Sequence, residues 1–242
     1  MKRVLSNAAG AISGMVEAQP QPEEKKTLVA ITAMGVIEPA VENTKSLLEA
    51  NGFETIVFHI KSALLDQMVQ ESAISGVIDL NTFELIRIFI YPGMPERKTR
   101  LESAFRKGLP VVIVPGGLDG IVLPVSADDI PEPLKGRKIY RSLPHVTVVR
   151  TTGEEMAKVA QIISSKANES EGPVAIVIPL QGFSAEDKAG HGFYEPETDA
   201  VFINEIKKQL RKCVKLIEVD AHINDAVFAR KVADVFNRIY KR

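Results

Sequence analysis

Asp220-Ala221-His222-Ile223-Asn224-Asp225 follows the apolar run Lys215 to Val219 and precedes a helical pattern. Carboxylates, an imidazole and a carboxamide gathered between a strand and a helix N-terminus stand where open α/β sheets hold ligands. An imidazole beside carboxylates is the set for a general base or a metal site. If the chain stays extended, Asp220 and His222 share one face. They are the candidate catalytic pair of a hydrolase or lyase. Two ligands do not make a metal site, and no metal is predicted. Asn224 or Asp225 also reads as the N-cap of the last helix, and Asn224 is a candidate ligand contact.

Other candidates lie just past the remaining strand-like runs, again where such sheets bind ligands. Gly35 follows the first and Thr82, with Glu84 close behind, the third. Past the fourth comes Pro115-Gly116-Gly117-Leu118-Asp119-Gly120. Gly116 and Gly117 would let bare N–H groups meet an oxyanion with Asp119 nearby, or they simply make a tight turn. Its spacing matches neither the dinucleotide fingerprint nor the lysine-bearing phosphate loop. Thr151 and Thr152 open a helix and could hold phosphate there, though Thr152 with Glu155 forms a capping box. Arg141 and Arg150 offer forked donors to a carboxylate or phosphate. Ser184 is either a ligand contact, a nucleophile paired with His222, or a cap.

The elements that must position these groups alternate along the chain. Strands are predicted over 28–32, 55–60, 76–80, 111–114, 146–149, 174–180 and 216–219. Helices are predicted over 39–51, 62–72, 83–89, 96–107, 154–168, 198–212 and 226–240. Short apolar strands joined by crossover helices make a parallel sheet buried on both faces. The expected fold is a doubly wound, mainly parallel, Rossmann-like α/β domain over 27–242. Residues 1–26 form a helical arm and linker, the helix over residues 1–18 with Val4, Leu5, Ile12, Met15 and Val16 toward one face. Those apolar side chains are expected to dock on another chain or on the domain itself.

Composition excludes several function classes. Of 242 residues, 30 are basic and 31 acidic, which gives no bulk field toward nucleic acid or an anionic membrane. Cys213, the one cysteine, allows no internal disulfide and no cysteine-based zinc site, which fits a cytoplasmic protein. No apolar run is long enough to span a bilayer.

Several segments occur together and in order: Asn7-Ala8-Ala9-Gly10-Ala11-Ile12, Pro115-Gly116 with Leu118-Asp119, Val146-Thr147 with Arg150-Thr151-Thr152, Gly172-Pro173-Val174-Ala175, Ser184-Ala185 with Asp187, and Val219 through Asp225. In these the chain resembles the tobamovirus-resistance-protein-like family, a widespread family that carries an ATP-binding label. The resemblance implies the C-terminal half of a two-domain unit, with residues 3–18 as the connection between halves. It implies ATP as a cofactor, mainly through the other half, and transfers no ATP contact to a residue here. It also implies a partner, either a second copy of this chain or a separate N-terminal-half protein. This chain departs from the family pattern at Ser142-Leu143, Gln181, Gly117, Val122 and the stretch 87–95. The leading expectation is a domain that binds a phosphorylated or carboxylated small molecule. The alternatives are a hydrolase or lyase using Asp220 and His222, and a protein-interaction module, since the plant relative acts on viral replication proteins.

Overall fold

A computed structural model describes residues 2–18, 27–59, 63–91 and 99–241. Its six-stranded parallel sheet contains β1 (Leu28–Ala33), β2 (Glu54–His59), β3 (Gly76–Asn81), β4 (Val111–Gly116), β8 (Val174–Pro179) and β9 (Lys215–Val219), in the order β2-β1-β3-β4-β8-β9. Every residue of β3, β4 and β8 is buried, whereas the edge strands β2 and β9 alternate with exposed positions. Continuous Val/Ile runs are what a strand covered on both faces requires. One face packs against α2 (Glu38–Ala50) and α7 (Ala226–Tyr240) through Val41, Leu48, Phe228 and Phe236. The other packs against α3 (Ala63–Gln70), α4 (Glu102–Arg106), α5 (Gly153–Asn168) and α6 (Pro196–Gln209) through Leu65, Phe105, Val159 and Phe202. The expected doubly wound α/β fold is the observed one.

A second sheet lies between β4 and β8 in the chain. It is antiparallel and three-stranded, in the order β5-β7-β6, from β5 (Gly120–Leu123), β6 (Ile139–Leu143) and β7 (Val146–Arg150). The strand expected over 146–149 therefore exists but leaves the main sheet. What reads as a loop rich in proline and charge supplies its two partners. The helix expected over 83–89 becomes a π-helical turn over Ile86–Ile90. The helix expected over 96–107 is reduced to α4, with residues 92–98 outside the described ones.

The arm is a helix, α1 (Lys2–Glu17), and none of its residues is buried. Val4, Leu5, Ile12, Met15 and Val16 are 61–80% exposed, so the expected packing of the arm on its own domain is not found. The predicted linker over residues 19–26 lies outside the described residues.

Candidate functional site

The order β2-β1-β3-β4 reverses direction between β1 and β3, and a crevice opens beyond the carboxyl ends of strands at such a switch point. Here the small sheet roofs that crevice. A cavity of about 290 Å³ lies beneath it, lined by Met34 beyond β1, Phe83 and Ile86 beyond β3, and Ile121, Leu123 and Val146 of the small sheet. The π-helical turn forms one wall, a conformation that recurs at functional sites. Arg87 also borders the space. Met34, Phe83 and Val122 also border a neighbouring notch of about 10 Å³, together with Gly117, Asp119, Tyr140 and Ser184.

Of the residues expected at the site, Gly117, Asp119 and Ser184 border the notch, while Thr151 and Thr82 brace the glycine loop and strand behind it. The Ser184 hydroxyl donates to Asp119 Oδ2 at 2.6 Å. The Gly117 amide donates to the Phe183 carbonyl, and the Thr151 hydroxyl to the Leu118 carbonyl, both at 3.0 Å. Buried Thr82 donates its hydroxyl to the Val114 carbonyl at 3.1 Å. These bonds turn the glycine loop inward. Gly117 has φ +74, and a Cβ on Gly116 would stand 2.1 Å from the Leu80 carbonyl oxygen. The glycines are thus required by a left-handed turn and a close strand approach. The anion cradle expected there is not formed, because the Gly117 and Leu118 amides are spent on Phe183 and Pro115.

The terminal hexapeptide behaves differently from its sequence reading. β9 ends at Val219, so alternation does not carry Asp220 and His222 to one face. Asp220 is exposed and accepts from Gln181 Nε2 at 3.0 Å. His222 is buried, its Nε2–H donating to the Ser184 carbonyl at 2.9 Å and its Nδ1 accepting the Asn224 amide at 3.2 Å. A general base needs a free lone pair facing the proton it takes. With both ring nitrogens engaged, His222 braces the Ser184 loop and offers no such lone pair. It does not reach the Ser184 hydroxyl, so the nucleophile pair is absent as well. Asp225 stands at the N-cap of α7 without a side-chain cap bond, and its Oδ2 instead accepts the His222 amide at 2.9 Å. Asn224 Nδ2 donates to the Val36 carbonyl at 3.1 Å, tying the hexapeptide to the turn that carries exposed Gly35.

Arg141 is exposed on β6 and borders neither the cavity nor the notch. Thr152 forms the predicted capping box: its hydroxyl oxygen accepts the Glu155 amide at 3.3 Å, and Glu155 Oε2 accepts the Thr152 amide at 2.8 Å. Thr151 and Thr152 instead border a separate groove with Arg137, Lys138 and Glu195, in which Arg137 pairs with Glu155 at 2.8 Å and Lys138 with Glu195 at 3.4 Å.

The group that sequence reasoning undervalued is Arg150. Its guanidinium is 2% exposed at the end of β7, beside Asp199 at 2.5 Å, Asp119 and Asp187 at 3.6 Å, and Glu195 at 3.8 Å. It thereby ties the small sheet to α6 and to the Ser184 loop. Burial works against its charge, but Asp199, Asp119 and Asp187 outweigh that and raise its pKa. Burial and then Asp187 push Asp119 up to about 6 and Asp199 up to about 9. A signal existed: an arginine closing an apolar strand. A second buried set was also missed: Arg100 binds Asp79 at 2.5 Å and Glu84 at 2.7 Å beneath the β1 and β3 ends. Among the described residues no helix is long and apolar enough to cross a membrane, and no group of three His, Cys, Asp or Glu could hold a metal ion.

Comparison with known proteins places this architecture. The uncharacterised protein family (UPF0261) C-terminal domain matches residues 26–240. A UPF0261 protein of Clostridium tetani is 35% identical over 237 residues, 96% of this chain and 58% of that protein. The UPF0261 protein mlr3387 of Mesorhizobium japonicum is 32% identical over 95% of this chain and 59% of its own length. The ToMV resistance protein Tm-1(GCR237) of Solanum lycopersicum is 32% identical over 98% of this chain and 33% of that protein. The chain thus spans less than two thirds of the length of these relatives. Oxidised flavodoxin 2 from Bacillus cereus aligns at a TM-score of 0.25 and 11% identity over 88% of this chain and 98% of that one, too slight a likeness to support an argument. The resemblance drawn from the motifs holds, and the chain belongs to the UPF0261 family, whose C-terminal domain it carries.

Proposed function

We propose that this domain binds a small molecule in the crevice beneath the small sheet. The observation that carries the reading is the apolar cavity of about 290 Å³ at the strand-order reversal. A cavity about half that size takes up benzene when its lining is apolar. The ligand places an apolar body against Phe83, Ile86 and Ile121. Arg87 borders the same space, which places positive charge near the carboxylated or phosphorylated end expected from the sequence. A hydrolase or lyase built on Asp220 and His222 is disfavoured by the engaged imidazole and the exposed, separate carboxylate.

The test is thermal stabilisation by toluene, phenylacetate, phenyl phosphate and ATP, in the wild type and in Val122→Phe, which fills the space. Toluene and at least one acidic probe are expected to raise the melting temperature of the wild type and not of the variant. Equal shifts in both proteins, or none in either, would overturn the reading.

A second reading concerns partners and rests on α1. Five exposed apolar side chains on one short helix favour docking on another polypeptide, the N-terminal half of the two-domain family or a second copy of this chain. Removing residues 1–18 is expected to lower the mass in solution or abolish capture of the N-terminal half. An unchanged mass with unchanged capture would make the arm a passive tail.

A further inference from the structure

The notch beside the cavity has a chemistry of its own. Asp119 borders it at 2% exposure. Its Oδ2 is used by Ser184, but its Oδ1 is buried and has no hydrogen-bond partner among the described residues. A buried acceptor left unmet costs free energy that a donor would recover. Charge points the same way. Arg150 is one cation facing Asp119, Asp187, Asp199 and Glu195, and of these Glu195 also has Lys138. Even with a proton held between neighbouring aspartates, the cluster keeps a negative surplus. An anion is repelled there and a donor is attracted.

Size narrows the class. About 10 Å³ is room for one water-sized group. Met34, Phe83 and Val122 line both the notch and the cavity, so the two adjoin across these side chains, and a head group in the notch can carry a body in the apolar space.

We infer that the Asp119 end of the crevice recognises a hydrogen-bond-donating head of one heavy atom, a primary ammonium or a hydroxyl, on a ligand whose apolar body fills the adjoining cavity. This rests on the binding reading above and names the ligand class at the notch. Such a ligand meets Asp119 Oδ1 with its donor, while Ser184 holds the other carboxylate oxygen and fixes the rotamer. Quaternary ammonium compounds carry the charge but no donor and exceed the space, so the site rejects them.

The experiment is calorimetric titration of the wild type with four probes that share a benzyl frame: toluene, benzyl alcohol, benzylamine and benzyltrimethylammonium. Benzylamine and benzyl alcohol are expected to bind roughly tenfold or more tighter than toluene, as a hydrogen bond to a buried charged group implies. Benzyltrimethylammonium should bind no better than toluene. In Asp119→Asn the advantage of benzylamine should fall about tenfold while toluene is unaffected. The wild-type series decides the matter by itself if that variant does not fold. Toluene binding as tightly as benzylamine would overturn the head-group inference and leave the cavity reading standing. Benzyltrimethylammonium matching benzylamine would overturn recognition by donor. Failure of all four probes, toluene included, would overturn both.

Discussion

Replacing Arg150 by methionine keeps most of the buried stem and removes the charge. Asp119, Asp187 and Asp199 then remain against one another with no cation among them. Removing one partner of a buried ion pair typically costs about 3–5 kcal/mol, since the remaining charge is buried uncompensated. For a domain of this size that lowers the melting temperature by roughly 6–20 °C. The cost depends on pH with a definite sign. In the wild type the folded-state pKa values of Asp119 and Asp199 are already raised from 3.8, to about 6 and about 9, although Arg150 pulls both down. Without it they rise further. A carboxyl whose folded pKa is raised contributes stability that is full below its unfolded value and is lost as pH rises through the folded value. Urea unfolding of wild type and Arg150→Met at pH 5 and pH 8 reads the difference. The full cost is expected at pH 8 and a clearly smaller one at pH 5, where the aspartates accept protons. A cost below about 1 kcal/mol at pH 8, or one equal at both pH values, would refute the account of Arg150 as the compensating charge of this cluster.

Other perturbations separate the parts of the fold. Asp119→Asn removes one raised carboxyl, so the wild type should lose up to about 3 kcal/mol relative to this variant as pH rises from about 4 to about 7, measured by paired urea titrations. Thr152→Ala breaks the capping box of α5 and should cost about 1 kcal/mol at any pH in that range, with a parallel shift of the urea midpoint. Gly116→Ala would place a Cβ 2.1 Å from the Leu80 carbonyl oxygen, and because the obstacle is backbone the cost should exceed about 3 kcal/mol. A melting temperature within a degree of wild type would show that β3 and β4 can separate there.

What the sequence reveals and what it conceals divide along physical lines. Each main-sheet strand is a local pattern, an apolar run such as Val111 to Val114, and a strand covered on both faces needs nothing more to be recognised. Capping at Thr152 and Glu155 is equally local. The small sheet is not. β5 has four residues and β6 is almost wholly exposed, so neither shows a hydrophobic alternation, and their pairing through β7 is a long-range fact. A π-helical turn has no periodicity that distinguishes it from α over five residues. At the site, the residues past the strands include the right loops, since Gly117, Asp119 and Ser184 do border the crevice. Their roles differ because hydrogen-bond direction is invisible in a sequence. His222 looks like a base until its two nitrogens are seen to serve Ser184 and Asn224. The apolar lining, Phe83 or Ile121, carries no chemical signature and reads as ordinary core.

The main sheet also acts as a partition. Side chains under α2 and α7 form one apolar layer and those under α3 to α6 another, and the crevice is walled from the second. Substitutions such as Phe236 or Leu48 to other apolar residues can therefore tune stability while the cavity keeps its shape. Met34 is the exception that joins the compartments, for it packs against both layers and also borders cavity and notch. Its unbranched thioether can change rotamer at small cost. An occupant that pushes Met34 aside is thus felt beneath α2 and α7, on the side of the sheet it never touches.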